Sequence, residues 1–238
     1  IWASAQQTLS CIEENSIIYT PNGLYRIKEL YNSPEEGFNE LKIPIFDRNN
    51  DVQYSSHFYK SPKSNTYKIR FKDGNSIITT EEHPLLNYKE EWIQTKNLKP
   101  GDKIKCYYNH NVFGKKIDYS KFKYKVPRSK PWSINNIDMA YLIGLWVAEG
   151  SYGKNRINIA NGDEDITDWL KSIGFTYNGN VNYGLNRSYV FNLFKHYLKI
   201  PSGALNKKVP SKILSSSKKE QIAFLQGCFD GDGTSHIK

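Results

Sequence analysis

The feature that most constrains the fold of this chain is a pattern that occurs twice, at positions 142–150 and 225–233. Each copy is a helix-like stretch in which a small residue recurs four positions later and an acidic residue follows. The four small residues are Gly144, Ala148, Gly227 and Gly231. Residues four apart share one helix face, and small side chains let two backbones approach closely. We therefore predict two tightly crossing helices that bring Glu149 and Asp232 together at their ends.

Two carboxylates at the C-terminal ends of helices repel each other and the helix dipole. A divalent cation removes that cost, and hard oxygen ligands favour Mg²⁺. Bound Mg²⁺ can activate water and stabilise the departing oxygen of a phosphodiester. Glu149 and Asp232 are therefore candidate metal ligands and catalytic residues. A plainer interpretation stays open, in which two core helices end at glycine and carry incidental acids.

The charge of the chain is unevenly distributed. Residues 1–110 carry 14 Lys and Arg against 14 Asp and Glu, whereas residues 111–238 carry 19 against 10, which accounts for the whole net charge of +9. A neutral half joined to a basic half indicates two domains, of which only the second meets a polyanion. A merely solvated basic surface is the alternative.

The two halves also differ in pattern, which predicts an all-β domain at 11–108, a basic linker or arm at 109–135 and an α+β domain at 136–238. Strands are predicted at 16–20, 66–71, 76–80, 103–107, 156–160, 175–178 and 188–191. Helices are predicted at 137–148, 163–173, 192–198 and 218–230, with brief helical stretches at 24–31 and 93–98.

Three cysteines, Cys11, Cys106 and Cys228, are too few for a disulfide framework, so we expect an intracellular, cytoplasmic protein. The longest apolar stretches are much shorter than the roughly 20 residues that cross a bilayer, so no membrane partner is expected.

A cysteine and a histidine far apart in sequence carry the second candidate site. Cys11 precedes an apolar β-like run and a Pro-Asn-Gly turn, and a T-x-x-H motif follows at Thr80–His83. An L-x-x-G-D motif stands at 98–102. Such a pair can meet in space as nucleophile and acid or base. Taken singly, each residue is more often structural, the cysteine as a small core residue.

In this order the motifs resemble the splicing domain of inteins, the Hint fold shared with hedgehog autoprocessing domains, from Cys11 to Cys106. The resemblance implies that Cys11 is the first intein residue and that positions 1–10 are the tail of the host protein. The implied reaction is attack of the Cys11 sulfur on the Ser10 carbonyl carbon. His83 would donate a proton to the leaving nitrogen, and Thr80 would hold the same peptide. No cofactor is implied for splicing.

The two copies of the repeated pattern, at 142–150 and 225–233, resemble the motifs of the LAGLIDADG homing endonucleases. The first copy departs from the family pattern at Val147 and at Glu149. The resemblance implies an αββαββα repeat whose second copy is incomplete, and Mg²⁺-dependent cleavage of double-stranded DNA at the intein-less site of the host gene. Lys207, in a K-x-I-P-like segment, is implied to polarise water or the scissile phosphate, and a solvated phosphate contact is the alternative. Polar strands at 152–160 and 175–191 would read DNA. The candidate contacts are Lys154, Arg156, Asn158 and Arg187.

The family patterns also predict that the 238 residues are incomplete for both activities. No terminal His-Asn precedes a Cys, Ser or Thr, and little follows Asp232. We expect a downstream intein segment and the host exteins in cis to be required partners. Two alternatives stay open: a hedgehog-like autoprocessing domain, which would share Cys11 and His83 only, and a catalytically inactive DNA-binding module of the LAGLIDADG fold.

Overall fold

A computed structural model describes residues 10–32, 34–106, 111–123 and 132–232. The chain divides into two compact units, Ile1–Val112 and Phe113–Lys238. Most of the expected host-protein tail, parts of the expected linker and positions 233–238 lie outside the described residues.

Ten short strands form the described part of the first unit. They are β1 (Ile17–Thr20), β2 (Gly23–Arg26), β3 (Gly37–Glu40), β4 (Pro44–Phe46), β5 (Val52–Tyr54), β6 (His57–Lys60), β7 (Tyr67–Arg70), β8 (Ser76–Thr79), β9 (Pro84–Leu86) and β10 (Trp92–Gln94). They pair antiparallel as β1–β2, β3–β6, β4–β5, β7–β8 and β9–β10. Tight turns are possible because Gly23 and Gly74 adopt φ angles of +117° and +89°. The unit has the all-β character that the sequence predicts.

The brief helices predicted in this unit are wrong over half their length. The segment 24–31 begins in β2 and then forms one 3₁₀ turn at Ile27–Glu29, and 93–98 begins in β10 and then forms one at Thr95–Asn97. Each segment finds a neighbouring strand, whose ladder outweighs the weak helix tendency of so short a run. The strand predicted at 103–107 is also wrong as far as it is described, since only one isolated bridge joins Ile104 to Asn87.

The second unit is α+β. Its elements are α1 (Asn136–Glu149), β11 (Gly150–Gly153), β12 (Arg156–Ala160), α2 (Glu164–Ser172), β13 (Thr176–Tyr177), β14 (Asn182–Leu185), α3 (Ser188–Asn192), a π turn (Leu193–Tyr197), α4 (Ser211–Leu214) and α5 (Lys218–Asp232), with 3₁₀ turns at Tyr119–Lys121 and Ala204–Asn206. The four strands form one sheet in the order β11-β12-β14-β13. Ile157 and Ile159 of β12 are fully buried with Trp146 of α1, so one face of the sheet covers that helix.

Most predicted elements of this unit are confirmed. Asp163, for example, caps α2 by accepting hydrogen bonds from the backbone N–H groups of Asp165 and Ile166. Gly174 follows the same helix with φ of +100°, a conformation that ends helices.

The strand predicted at 188–191 is wrong, because these residues form α3. Val190, Leu193 and Phe194 are all fully buried. Their spacing of three and four positions puts all three side chains on one face of a helix, whereas adjacent residues of a strand point to opposite faces. Burial of the three together therefore requires a helical path.

Within the described ranges, none of the helices has the length and apolar character needed to span a bilayer.

Candidate active sites

Thr80 holds the peptide on which splicing would act. The Cys11 backbone N–H donates to Thr80 Oγ1 at 2.9 Å, and the Thr80 backbone N–H donates to the Cys11 carbonyl oxygen at 2.9 Å. The Glu13 N–H also donates to the Ile78 carbonyl at 2.9 Å, so 11–13 runs antiparallel to the end of β8. The nitrogen of the Ser10–Cys11 amide is therefore anchored on the threonine of the T-x-x-H motif.

His83 closes the same turn. Its N–H donates to the Thr80 carbonyl at 3.2 Å, so the histidine is tied to the residue that binds Cys11. Its imidazole Nδ1 is buried and has no hydrogen-bond partner among the described residues. Burial lowers the pKa of His83, because the charged ring is poorly solvated there. A neutral imidazole with one uncommitted nitrogen is suited to proton transfer.

Two threonines that sequence reasoning missed lie behind His83. The backbone N–H of Thr95 and its hydroxyl both donate to the His83 carbonyl oxygen, at 2.9 and 3.0 Å. The hydroxyl of Thr79 lies 2.8 Å from that of Thr95. No spacing pattern marks Thr95, which comes near His83 because β9 and β10 pair.

In the second unit, α1 and α5 cross at the small residues of the repeated pattern. A Cβ built on Gly144 would lie 2.0 Å from the Phe224 carbonyl oxygen, and one built on Gly227 would lie 2.1 Å from that of Tyr141. A Cβ on Gly231 would lie 2.5 Å from that of Ala148. Side chains larger than hydrogen at the three glycines would thus force the helices apart.

The crossing brings Glu149 and Asp232 into electrostatic contact. Burial raises the pKa of Glu149 most, and the charge of Asp232 and a hydrogen bond with it raise the pKa further. Lys207 opposes this shift. Burial in turn lowers the pKa of Lys207, against the effect of both carboxylates. The two acids and the lysine predicted from the sequence thus share one site.

Lys207 also binds the end of α1. Its ammonium group donates to the carbonyl oxygens of Gly150 at 2.6 Å, Trp146 at 3.1 Å and Ala148 at 3.3 Å. An ammonium has three protons, and here each has a carbonyl acceptor. Contact with water or a phosphate, the role that the sequence suggests, requires that one of these bonds be given up.

The two carboxylates are the type of ligand that Mg²⁺ prefers, but they are few. Glu149 and Asp232 offer hard oxygen atoms that repel each other without a cation. The described residues contain no group of three or more His, Cys, Asp or Glu placed to hold a metal. Mg²⁺ commonly keeps several waters and binds one or two carboxylates together with substrate phosphate. The residues present therefore fit a magnesium ion that is completed by water and substrate.

The candidate DNA contacts fall into different places. Arg156 and Asn158 alternate with buried residues of β12 and lie on the face of the sheet away from the core. Lys154 is exposed in the turn between β11 and β12. Arg187 lies beyond β14, directly before α3.

Asn178, which lies in the polar stretch predicted at 175–191 but not among the four named contacts, also belongs to this polar face. Its amide lies over Gly184 next to that of Asn158, since a Cβ on Gly184 would be 2.4 Å from Asn178 Nδ2 and 3.1 Å from Asn158 Oδ1. The two amides come together because β12 and β13 both pair with β14.

The chain is similar to parts of several larger proteins. It is 28% identical to DNA-directed RNA polymerase subunit Rpo1C of Methanocaldococcus jannaschii, over 70% of this chain and 23% of that protein. It is 31% identical to the ATP-dependent DNA helicase Hel308 of Thermococcus kodakarensis, over 45% and 11%. It is 21% identical to the alpha chain of ribonucleoside-diphosphate reductase NrdEB of Bacillus subtilis, over 94% and 22%. The chain thus spans less than a quarter of the length of each of these relatives.

A sequence model of the family described as the intein splicing domain matches residues 17–223, which is most of the chain. The match includes Thr80, His83 and the whole β-rich segment between β1 and β10. The chain therefore belongs to the intein splicing domain family.

Proposed function

We propose that this chain performs the first step of protein splicing at the Ser10–Cys11 bond. Membership of the intein splicing family supports autocatalytic splicing as the activity. The observation that carries the assignment of residues is the pair of backbone and side-chain hydrogen bonds between Cys11 and Thr80, two residues 69 positions apart. These hydrogen bonds hold the nitrogen that the proposed reaction would release, which supports the roles of Cys11 and Thr80.

The reaction is an exchange of an amide for a thioester. The Cys11 sulfur bonds to the Ser10 carbonyl carbon, the carbon–nitrogen bond to Cys11 breaks, and the nitrogen becomes an amine. The thiol proton leaves with a base and a proton reaches the amine, so the net change is an isomerisation. His83 supplies the proton through its uncommitted ring nitrogen, and Thr80 Oγ1 keeps the departing nitrogen in place. No cofactor enters the step.

Thiol-induced release of the segment before Cys11 tests this step in the full-length gene product, because an added thiol captures the thioester. Cys11→Ala is expected to abolish release, since it removes the nucleophile. Cys106→Ala is the matched control: Cys106 is an exposed cysteine of the same unit and should be dispensable. Release that persists in Cys11→Ala would show that another group attacks the bond.

We further propose that the second unit is a homing endonuclease that cuts double-stranded DNA. The observation that favours it over a hedgehog-like domain is the close crossing of α1 and α5, which places Glu149 beside Asp232 and Lys207. The polar face of the sheet, with Arg156 and Asn158, is suited to contact phosphates and base edges.

Glu149 and Asp232 would hold Mg²⁺, which when bound supplies positive charge to activate water and to stabilise the departing phosphodiester oxygen. Lys207 adds a positive charge near both carboxylates and fixes the end of the helix that carries Glu149. The basic surplus of residues 111–238 favours approach to the DNA polyanion.

A cleavage assay on DNA that contains the uninterrupted host-gene site, with Mg²⁺ present, tests this proposal. Glu149→Ala combined with Asp232→Ala should abolish nicking and leave DNA binding largely intact. Asp230→Asn is the matched control, because Asp230 lies on the same helix but accepts a hydrogen bond from Tyr141 at 2.9 Å. Binding without nicking by the unsubstituted full-length protein would favour a catalytically inactive DNA-binding module instead.

A further inference from the structure

Two buried threonines form a hydrogen-bonded chain that ends on the histidine of the T-x-x-H motif. Thr79 is fully buried and Thr95 is 4% exposed. Buried hydroxyls cost free energy unless they are hydrogen-bonded, so each is expected to have a defined partner. Here the partners are the two hydroxyls themselves and the His83 carbonyl oxygen.

The direction of these hydrogen bonds follows from counting protons. A carbonyl oxygen cannot donate, so the hydroxyl proton of Thr95 goes to His83. Thr95 then has only lone pairs to offer at its hydroxyl, and Thr79 must donate to it across the 2.8 Å contact. The chain therefore runs from Thr79 through Thr95 to the His83 peptide.

This chain matters because no hydrogen bond that would orient the His83 ring itself is seen among the described residues. Catalytic histidines are commonly oriented by a partner on the second ring nitrogen. Nδ1 of His83, the nitrogen proposed to carry the proton, is buried without a partner among the described residues. The position of the ring then depends on its backbone, which is held by the Thr80 carbonyl on one side and by two hydrogen bonds from Thr95 on the other.

Two consecutive residues, Thr80 and Thr79, hold the two reacting groups, one directly and one through Thr95. Thr80 binds the Cys11 peptide through its side chain, and Thr79 supports His83 through Thr95. Both sit at the end of β8, where Thr79 also forms a bridge with Ile12. A shift at this strand end would therefore move the nucleophile and the proton donor together.

We propose that Thr95, supported by Thr79, is a positioning residue that sets His83 against the Ser10–Cys11 peptide for the amide-to-thioester exchange. This inference rests on the splicing step proposed above. Thr95 does not touch the reacting atoms and acts only through the backbone of His83.

The test is the Thr79→Val/Thr95→Val double variant of the full-length gene product. Valine keeps the branched shape of threonine, and removing both hydroxyls leaves no buried hydroxyl unpaired, so the melting temperature should hardly change. Thiol-induced release should slow by about 10- to 100-fold, the range expected when a catalytic group is displaced by an ångström or less. The imidazole nitrogen NMR shifts of His83 should change as well.

Single variants supply the controls. Thr95→Ser keeps the hydroxyl and should restore most of the rate. Thr95→Val alone strands the Thr79 hydroxyl and should be both slower and less stable. A double variant that releases the segment at the normal rate, or one that slows without any change in the His83 shifts, would overturn the positioning role. Release of the segment by Cys11→Ala would instead contradict the proposed splicing step itself, so the two failures can be told apart.

Discussion

One added methyl group on α5 tests the helix crossing on which the second site depends. A Cβ on Gly227 would lie 2.1 Å from the Tyr141 carbonyl oxygen and 2.8 Å from the Leu145 nitrogen. Ordinary contact begins near 3.4 Å, so the helices would have to separate by about 1.3 Å (3.4 less 2.1). Overpacking of this kind costs about 1–3 kcal/mol, and the alanine regains about 1 kcal/mol of helix propensity. Because both obstructing atoms are backbone, we expect Gly227→Ala to lose about 2 kcal/mol net.

Gly231→Ala differs because its obstacle is a side chain. Its Cβ would lie 2.5 Å from that of Ala148, while the next neighbours, Glu149 Cγ and Leu145 Cδ1, are at 3.4 and 3.5 Å. Exchanging the two residues, as Ala148→Gly with Gly231→Ala, removes the clash, and the helix propensities of the two changes cancel. The exchange should therefore be close to the unsubstituted protein in stability, whereas Gly231→Ala alone should be less stable.

Urea unfolding followed by far-UV circular dichroism measures the differences in unfolding free energy among these variants. DNA nicking reports whether Glu149 and Asp232 are still close enough to act together. We expect Gly227→Ala to lose both stability and nicking, and the exchange variant to keep both. The close crossing would be refuted if Gly227→Ala were as stable as the unsubstituted protein, or if the exchange failed to restore what Gly231→Ala alone loses.

Three further predictions concern other sites. Glu220 is fully buried and accepts hydrogen bonds from the Ile117 N–H at 3.0 Å and the Ser217 hydroxyl at 2.6 Å. In Glu220→Gln an amide NH₂ group would face one of these donors, which should lower the free energy of unfolding by about 2–3 kcal/mol. An unchanged urea midpoint would contradict this. Val181 is exposed with φ of +57°, so Val181→Gly should relieve strain and stabilise the protein by about 0.5–1 kcal/mol; a lower melting temperature would count against it. The half-buried His83 has a pKa below its ordinary 6.5. Its contribution to stability is therefore complete above pH 6.5 and is lost as the pH falls through the lower folded-state pKa. His83→Asn should flatten this loss in a series of melting temperatures, and equal acid sensitivity of both proteins would argue against it.

The elements that could be predicted from the sequence are those that depend on residues close together in the chain. The cap at Asp163 and the Asp-Gly turn at 73–74 depend on residues a few positions apart, so α2 and the β7–β8 hairpin could be placed from the sequence. Helix periodicity is also local, and it placed Gly144 and Gly227 on helix faces before any coordinates. The T-x-x-H motif is also short, but its role was implied only by the resemblance to inteins.

Tertiary structure decided what depends on distant partners. Positions 24–26 are a strand because β1 lies beside them, and 188–191 are helical because Val190 must reach the core together with the adjacent pair at 193–194. Thr95 reaches His83 only because two strands pair, and Lys207 reaches the end of α1 across about 60 positions of chain. A hydrogen bond between distant residues leaves no periodic trace in the sequence, since its geometry is fixed only when the chain has folded. The sequence alone thus pointed to candidate reacting groups, and the fold decided which backbone groups hold them in place.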